Sequence, residues 1–113
     1  MLYKRRELQA DICLIEIDLA VLIDRVFLLT DGNAASGTTR FFDDLSQLKS
    51  LPWDVLNSDA WFDKEDGKRK MCSEVLVYPK IDHKYIKALH FYNKIPELPG
   101  INKPKCITPK LYF

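Results

Sequence analysis

Thr30-Asp31-Gly32-Asn33-Ala34-Ala35-Ser36-Gly37-Thr38-Thr39-Arg40-Phe41-Phe42-Asp43-Asp44 follows directly on the apolar run Val26-Phe27-Leu28-Leu29. The run reads as a buried strand. Asp31-Gly32 is a turn dipeptide, because glycine enters the φ > 0 region without steric cost. Gly37 adds a second flexible point. The residues between the two glycines are small or polar and cannot build a core. The segment therefore reads as a surface loop whose backbone polar groups meet water or a ligand. It then delivers Arg40, Phe41 and Phe42 together. A cation beside two aromatic rings suits a nucleobase and its phosphate, through stacking and charge. A plainer arrangement, favoured by local composition, puts Phe41 and Phe42 in the core and leaves Arg40 solvated.

Working outward, Ile12 to Ile17 is apolar and β-branched and predicts a mostly buried strand. Asp18 is placed to cap a short helix over Leu19 to Ile23. Beyond the loop, Asp43 or Asp44 opens a short helix through Leu48, with Leu45 and Leu48 facing inward at i, i+3. Pro52 suits a first helical turn and predicts a helix to Leu56, with Trp53 and Leu56 inside. Trp61 and Phe62 sit in a more irregular stretch. Lys64 to Lys70 is highly charged and reads as exposed, with at most a helical turn. Cys72 to Tyr78 alternates as a strand, with Cys72, Glu74, Leu76 and Tyr78 on one face. Pro79 ends it. Asp82 caps a short helix to Ile86, and Lys87 to Tyr92 is a last strand. From Pro96 the repeated prolines predict an extended tail, 97–113. Strands mixed with short helices indicate an α+β fold.

A chain of 113 residues suffices for one small domain. Its formal net charge of +1 supplies no global field for nucleic acid, so any such binding must rest on a local patch. Cys13, Cys72 and Cys106 are odd in number and lack zinc-ligand spacing, which predicts no metal site and a reducing, cytoplasmic setting. The longest apolar zone, Ile12 to Leu29, is broken by Glu16, Asp18, Asp24 and Arg25, which predicts no membrane span.

Glu74 is the most informative single residue. Glutamate is depleted in strands and rarely buried without a partner. Two readings stay open: an edge-strand or ion-paired carboxylate, with Lys68, Arg69 or Lys70 as partner, or a carboxylate lining a cleft that tunes its pKa. Lys68-Arg69-Lys70 is too short for a phosphate track and reads as a solvated face. His83 and His90 lack the neighbours of a triad or a metal site. Asp43-Asp44 is better explained by capping than by metal binding. No Walker or Rossmann glycine loop is present.

The block from Thr30 to Leu45, then Leu51-Pro52-Trp53-Asp54, Trp61, and Lys70-Met71-Cys72-Ser73-Glu74-Val75-Leu76-Val77, resembles the DarT toxins, bacterial DNA ADP-ribosyltransferases. Order and spacing match over about residues 12 to 92. Met1-Leu2-Tyr3 and the ending Leu111-Tyr112-Phe113 look familial too. The resemblance implies an ADP-ribosyltransferase-like fold of mixed sheets with short helices. It implies NAD as co-substrate and a base in single-stranded DNA, thymine in the better-known branch, as acceptor. It implies a toxin–antitoxin setting with a macrodomain antitoxin as partner. Glu74 falls on the family's catalytic glutamate. Arg40, with Asn33 and Thr39, falls on the DNA-facing segment. The match begins part-way into the family's domain. It therefore implies that residues 1–113 are one domain's C-terminal part, with the family's NAD-holding histidine and catalytic arginine expected upstream of Met1. A complementing N-terminal half, or loss of activity in a remnant that still binds single-stranded DNA or a protein, are the corresponding expectations.

Overall fold

The computed structural model describes residues 8–112. Met1-Leu2-Tyr3 and Phe113 lie outside them. Among the described residues the regular elements are β1 (Leu14–Ile17), α1 (Val21–Asp24), β2 (Val26–Thr30), β3 (Phe41–Phe42), α2 (Trp53–Leu56), α3 (Gly67–Lys70), β4 (Val75–Tyr78), β5 (Ile86–Phe91) and β6 (Lys105–Ile107). Short 3₁₀ turns stand at Leu45–Ser50, Trp61–Asp63, His83–Tyr85 and Pro109–Leu111. The fold is α+β, as expected. The chain divides into two compact units, one formed by the described residues up to Val21 and from Ile81 onward, the other by Leu22–Lys80.

The first unit is a three-stranded sheet in the order β1-β5-β6. β1 runs antiparallel to β5, with Leu14 opposite His90 and an irregularity between Glu16 and Ile17. β6 runs parallel to β5, with His90 opposite Cys106. β5 is the central strand, paired along both edges, and its Ala88, Leu89 and Phe91 are all buried. The extended tail expected from Pro96 carries a short strand: Lys105–Ile107 forms β6 between Pro104 and Pro109. The Leu89 amide donates to the Pro104 carbonyl and the Thr108 amide to Phe91, so the prolines flank the paired residues without interrupting them. The Tyr112 hydroxyl lies 2.7 Å from the carbonyls of both Ile12 and His90 and ties the chain's end to this sheet.

The second unit is a three-stranded antiparallel sheet in the order β3-β2-β4. Leu29, fully buried, and Val55 of α2, 1% exposed, anchor its core. The strand expected from Cys72 begins only at Val75. The amides of Cys72 and Ser73 are already bonded to the carbonyls of Arg69 and Lys70, which close α3. The helix expected at Leu19 starts at Val21, after Asp18 takes the Ala20 amide on its side chain. Two expected inner faces are also corrected. Leu45 and Trp53 are exposed, and Val55 rather than Trp53 is the buried residue of α2. Trp53 is held at the surface because its indole N–H donates to the Leu48 carbonyl. Asp44 caps the Leu45 turn as expected, through the Ser46 amide. The turn expected after Asp82 forms, but the Asp82 backbone carbonyl, not its side chain, takes the Tyr85 amide.

Candidate active site

Thr30, the last residue of β2, sits between two neighbours. It is opposite Phe41 on one side, and its amide donates to the Glu74 carbonyl at 2.9 Å on the other. Glu74 is therefore not mid-strand. It is the residue that leads into β4, at the same end of the sheet as Arg40. Two strand spacings separate Glu74 from Phe41, about 10 Å between backbones. The Thr30 side chain adds a second bond: its hydroxyl accepts the Glu74 amide at 2.9 Å. Thr30 is fully buried, so its end of this clamp is shielded from water. The Glu74 side chain is exposed, and among the described residues no ion pair with Lys68, Arg69 or Lys70 forms. The backbone is fixed while the carboxylate stays open to a ligand.

The loop after Thr30 is ordered by its own polar groups. Asn33 Oδ1 accepts the Ala35 amide, and the Asn33 carbonyl accepts both the Ser36 amide and the Thr39 hydroxyl, the latter at 2.6 Å. Asn33 is exposed, whereas Thr39 is buried with its hydroxyl engaged. The centre of the loop is Asp31. Its carboxylate takes the Arg40 amide at 2.9 Å and Arg40 Nε at 3.1 Å, and it takes Arg69 Nη1 at 3.1 Å. Burial alone would push the Asp31 carboxyl up. The Arg40 amide, the Arg40 side chain and Arg69 outweigh it and hold the carboxyl below its usual range.

Arg40 is 71% exposed and lies over the Phe42 ring at 5.6 Å. Phe41 is exposed and Phe42 half-buried on an edge strand, so neither the core pair nor the wholly free aromatic pair is formed. Asp31 and Arg69 are not legible as site residues in the sequence. Asp31 reads as a turn former and Arg69 as part of a solvated run, and their pairing spans 38 positions. The glycine reading is corrected as well. Among the described glycines only Gly100 has a positive φ. Gly32 matters for another reason: a Cβ there would overlap the Arg69 guanidinium and push it aside.

In the other unit His90 has partners that sequence proximity does not reveal. Nδ1 lies 2.7 Å from the Thr108 hydroxyl and Nε2 3.1 Å from Glu16. Glu16 is a neighbour only through β1–β5 pairing. No group of three or more His, Cys, Asp or Glu residues among those described could hold a metal ion. No helix among them is long and apolar enough to cross a membrane.

The family model described as DarT, ssDNA thymidine ADP-ribosyltransferase, matches residues 1–96. The chain belongs to the DarT family. A DNA ADP-ribosyl transferase of Thermus sp. (strain 2.9) is 25% identical over 97 residues, covering 77% of this chain and 46% of that protein. A DNA ADP-ribosyl transferase–DNA ADP-ribosyl glycohydrolase fusion protein of Thermosipho africanus (strain H17ap60334) is 28% identical over 82 residues, covering 71% of this chain and 21% of the fusion. The chain thus spans less than half the length of these DarT relatives. Among solved structures, Thermus sp. 2.9 DarT in complex with carba-NAD+ superposes with a TM-score of 0.85 at 21% identity, over 99% of this chain and 67% of that one. The same DarT in complex with ADP-ribosylated ssDNA gives 0.80 at 20% identity, over 93% and 56%. These superpositions establish the DarT fold.

Proposed function

We propose that this chain carries the glutamate-bearing, DNA-facing part of a DarT-type enzyme that uses NAD to place ADP-ribose on a thymine base in single-stranded DNA. The observation that carries the reading is the Thr30–Glu74 clamp. It presents an exposed carboxylate at the sheet end where Arg40 also emerges. Family membership supports it, as do the ligands named for Thermus DarT, carba-NAD+ and ADP-ribosylated ssDNA.

In this reading Glu74 holds the nicotinamide-bearing ribose. Its negative charge offsets the positive charge that develops at the anomeric carbon as the bond to nicotinamide breaks. As the new bond forms from the base nitrogen to that carbon, the nitrogen's proton passes to Glu74. Arg40 and Asn33, both exposed, contact the strand, and Thr39 supports the loop from behind. The rest of the NAD site comes from a complementing N-terminal half.

One observation favours that partner. Val26, Leu28, Leu76 and Tyr78 share one face of the β2–β4 pair, and all four are exposed. An apolar sheet face of this kind marks an interaction surface. The glycohydrolase fused to the Thermosipho relative supports a toxin–antitoxin setting with a macrodomain antitoxin, hence a cytoplasmic one. The test is incubation of the chain, alone and with a complementing half, with NAD and thymidine-containing single-stranded oligonucleotides. Mass spectrometry should show one added ADP-ribose in the complemented reaction. No adduct from a complemented, folded protein would refute the proposal.

A further inference from the structure

The side chain of Arg69 is 15% exposed, and its Nε and Nη1 are both engaged by neighbouring residues. Nε donates to Asp66 at 2.5 Å. Nη1 reaches Asp31 Oδ1 at 3.1 Å, the Asp31 carbonyl at 3.4 Å and the Thr39 hydroxyl at 3.0 Å. The Arg69 carbonyl accepts the Asn33 amide at 3.0 Å. One residue of α3 therefore grips the loop at its start, at Asp31 and Asn33, and at its end, at Thr39. Gly32 passes so close that a side chain there would displace the Arg69 guanidinium.

The Asp31 carboxylate is divided. Oδ1 serves Arg69 and the Arg40 amide, and Oδ2 takes only Arg40 Nε. A guanidinium has five N–H donors, so Arg40 keeps its four Nη hydrogens for a ligand. A buried carboxylate deprived of one cation leans harder on the other, and arginine can meet it with two parallel bonds. Removing Arg69 would let Asp31 draw Arg40 into that fork and away from solvent.

Resting on the DNA-binding reading above, we infer that Arg69 is a positioning residue: by sharing Asp31 and holding Thr39, it keeps the Arg40 guanidinium free for a phosphate of single-stranded DNA. Arg69 itself makes no contact with the strand. Lysine cannot replace it, because an ammonium on a flexible stem does not span Asp66, Asp31 and Thr39 at once.

The experiment compares the full chain with Arg69→Met, Arg69→Lys, and the double substitution Arg69→Met with Asp31→Asn. Amide hydrogen exchange of residues 31–40 is read in the free protein, and binding of labelled oligo-dT by fluorescence anisotropy. Exchange in the loop should quicken about tenfold or more in Arg69→Met, and less in Arg69→Lys. Oligo-dT affinity should fall roughly tenfold in Arg69→Met, the scale of one charge-assisted contact. It should recover most of that loss in the double variant, where a neutral amide in place of the carboxylate no longer captures Arg40. A residue that only stabilised the fold would show the opposite, since the second substitution removes a further loop contact. Unchanged loop exchange in Arg69→Met overturns the inference. So does a lost affinity that Asp31→Asn fails to restore. If the unaltered chain binds no oligo-dT, the DNA reading fails and this inference with it; if the unaltered chain binds and Arg69→Met binds equally well, this inference alone is overturned. Should Arg69→Met not fold, Arg69→Lys alone and with Asp31→Asn gives the same comparison.

Discussion

Thr30 holds Glu74 through both of its backbone polar groups: the Thr30 amide donates to the Glu74 carbonyl at 2.9 Å, and the Glu74 amide donates to the Thr30 hydroxyl at 2.9 Å. The hydroxyl is also 3.3 Å from that carbonyl. A side chain thus extends the β2–β4 ladder one residue beyond the strand. The Thr30 oxygen that does so is buried, where a polar group left unpaired is costly.

Thr30→Val keeps the shape of this side chain and removes the oxygen. The Glu74 amide then loses its acceptor in a part-buried setting, and the expected cost is about 1 kcal/mol. Thr30→Ser should retain most of the stability. Urea unfolding of the two variants checks this, and a Thr30→Val protein as stable as the parent would show that the clamp contributes nothing.

Asp31 predicts an acid dependence with a definite sign. Its folded-state carboxyl is held below the unfolded value, so the stability it contributes is present above the ordinary aspartate range near 3.9 and is lost as pH falls through the lower folded-state value. Asp31→Asn should remove that part of the acid limb below about pH 4 and lower stability at neutral pH. Thermal melts from pH 7 down to pH 2 test it. An unchanged acid limb in Asp31→Asn would assign the acid sensitivity to other carboxyls.

Gly67→Ala should destabilise the second unit. A Cβ at this buried glycine would overlap the Trp61 carbonyl oxygen, which is backbone and cannot rotate away. Overpacking of this kind costs roughly 1–3 kcal/mol. Gly37→Ala is the control, since nothing lies within 4 Å of the position a Cβ would take there. Equal melting temperatures for the two variants would contradict the close approach at Gly67.

The apolar face of β2 and β4 makes a prediction about association. Val26→Thr with Tyr78→Thr replaces the two most exposed of its four residues, at 68% and 71% exposure. Such residues have little burial to lose, so the melting temperature should hold while binding of a hydrophobic dye falls. If the face receives a complementing half, the same pair should abolish complementation. Complementation at the unaltered level would place that half elsewhere.

What is legible in the sequence follows from the range of the interactions. β2, β4 and β5 are readable as strands because their apolar runs are local, but the burial expected of β2 is not found at Val26 and Leu28, which are exposed. Asp44 is readable as a cap because its partner is two residues away. The start of β4 is not, because the amides of Cys72 and Ser73 are claimed by α3, a competition the alternation of side chains does not record. β6 is hidden by the prolines on either side of it. The loop itself stands out in the sequence, and so do Arg40 and Glu74. Their supports, Thr30, Asp31 and Arg69, do not, because each works through a partner that is distant in sequence. The Glu16–His90–Thr108 chain is invisible for the same reason.

Glu74 carries the last prediction, made for this chain completed by an NAD-holding half. Glu74→Gln keeps the side-chain shape and one acceptor oxygen but removes the charge. A charge that acts on the transition state affects turnover more than ground-state binding. Turnover should therefore fall roughly 10²–10³-fold, the scale of one lost preorganised electrostatic contact, while NAD affinity changes little. Folding should survive, because the clamp on Glu74 uses only its backbone atoms, which glutamine supplies equally well. The carboxylate has no cation partner among the described residues, so no ion pair is lost with it. This separates the chemical role from a structural one. Were Glu74 structural, the melting temperature would move and turnover would not. Were it a DNA contact, oligonucleotide affinity would rise, since a negative charge beside phosphates is unfavourable. Near-normal turnover in a folded Glu74→Gln protein would withdraw the catalytic assignment. The proposed function would then rest on oligonucleotide binding through Arg40, which the Arg69 experiment tests separately.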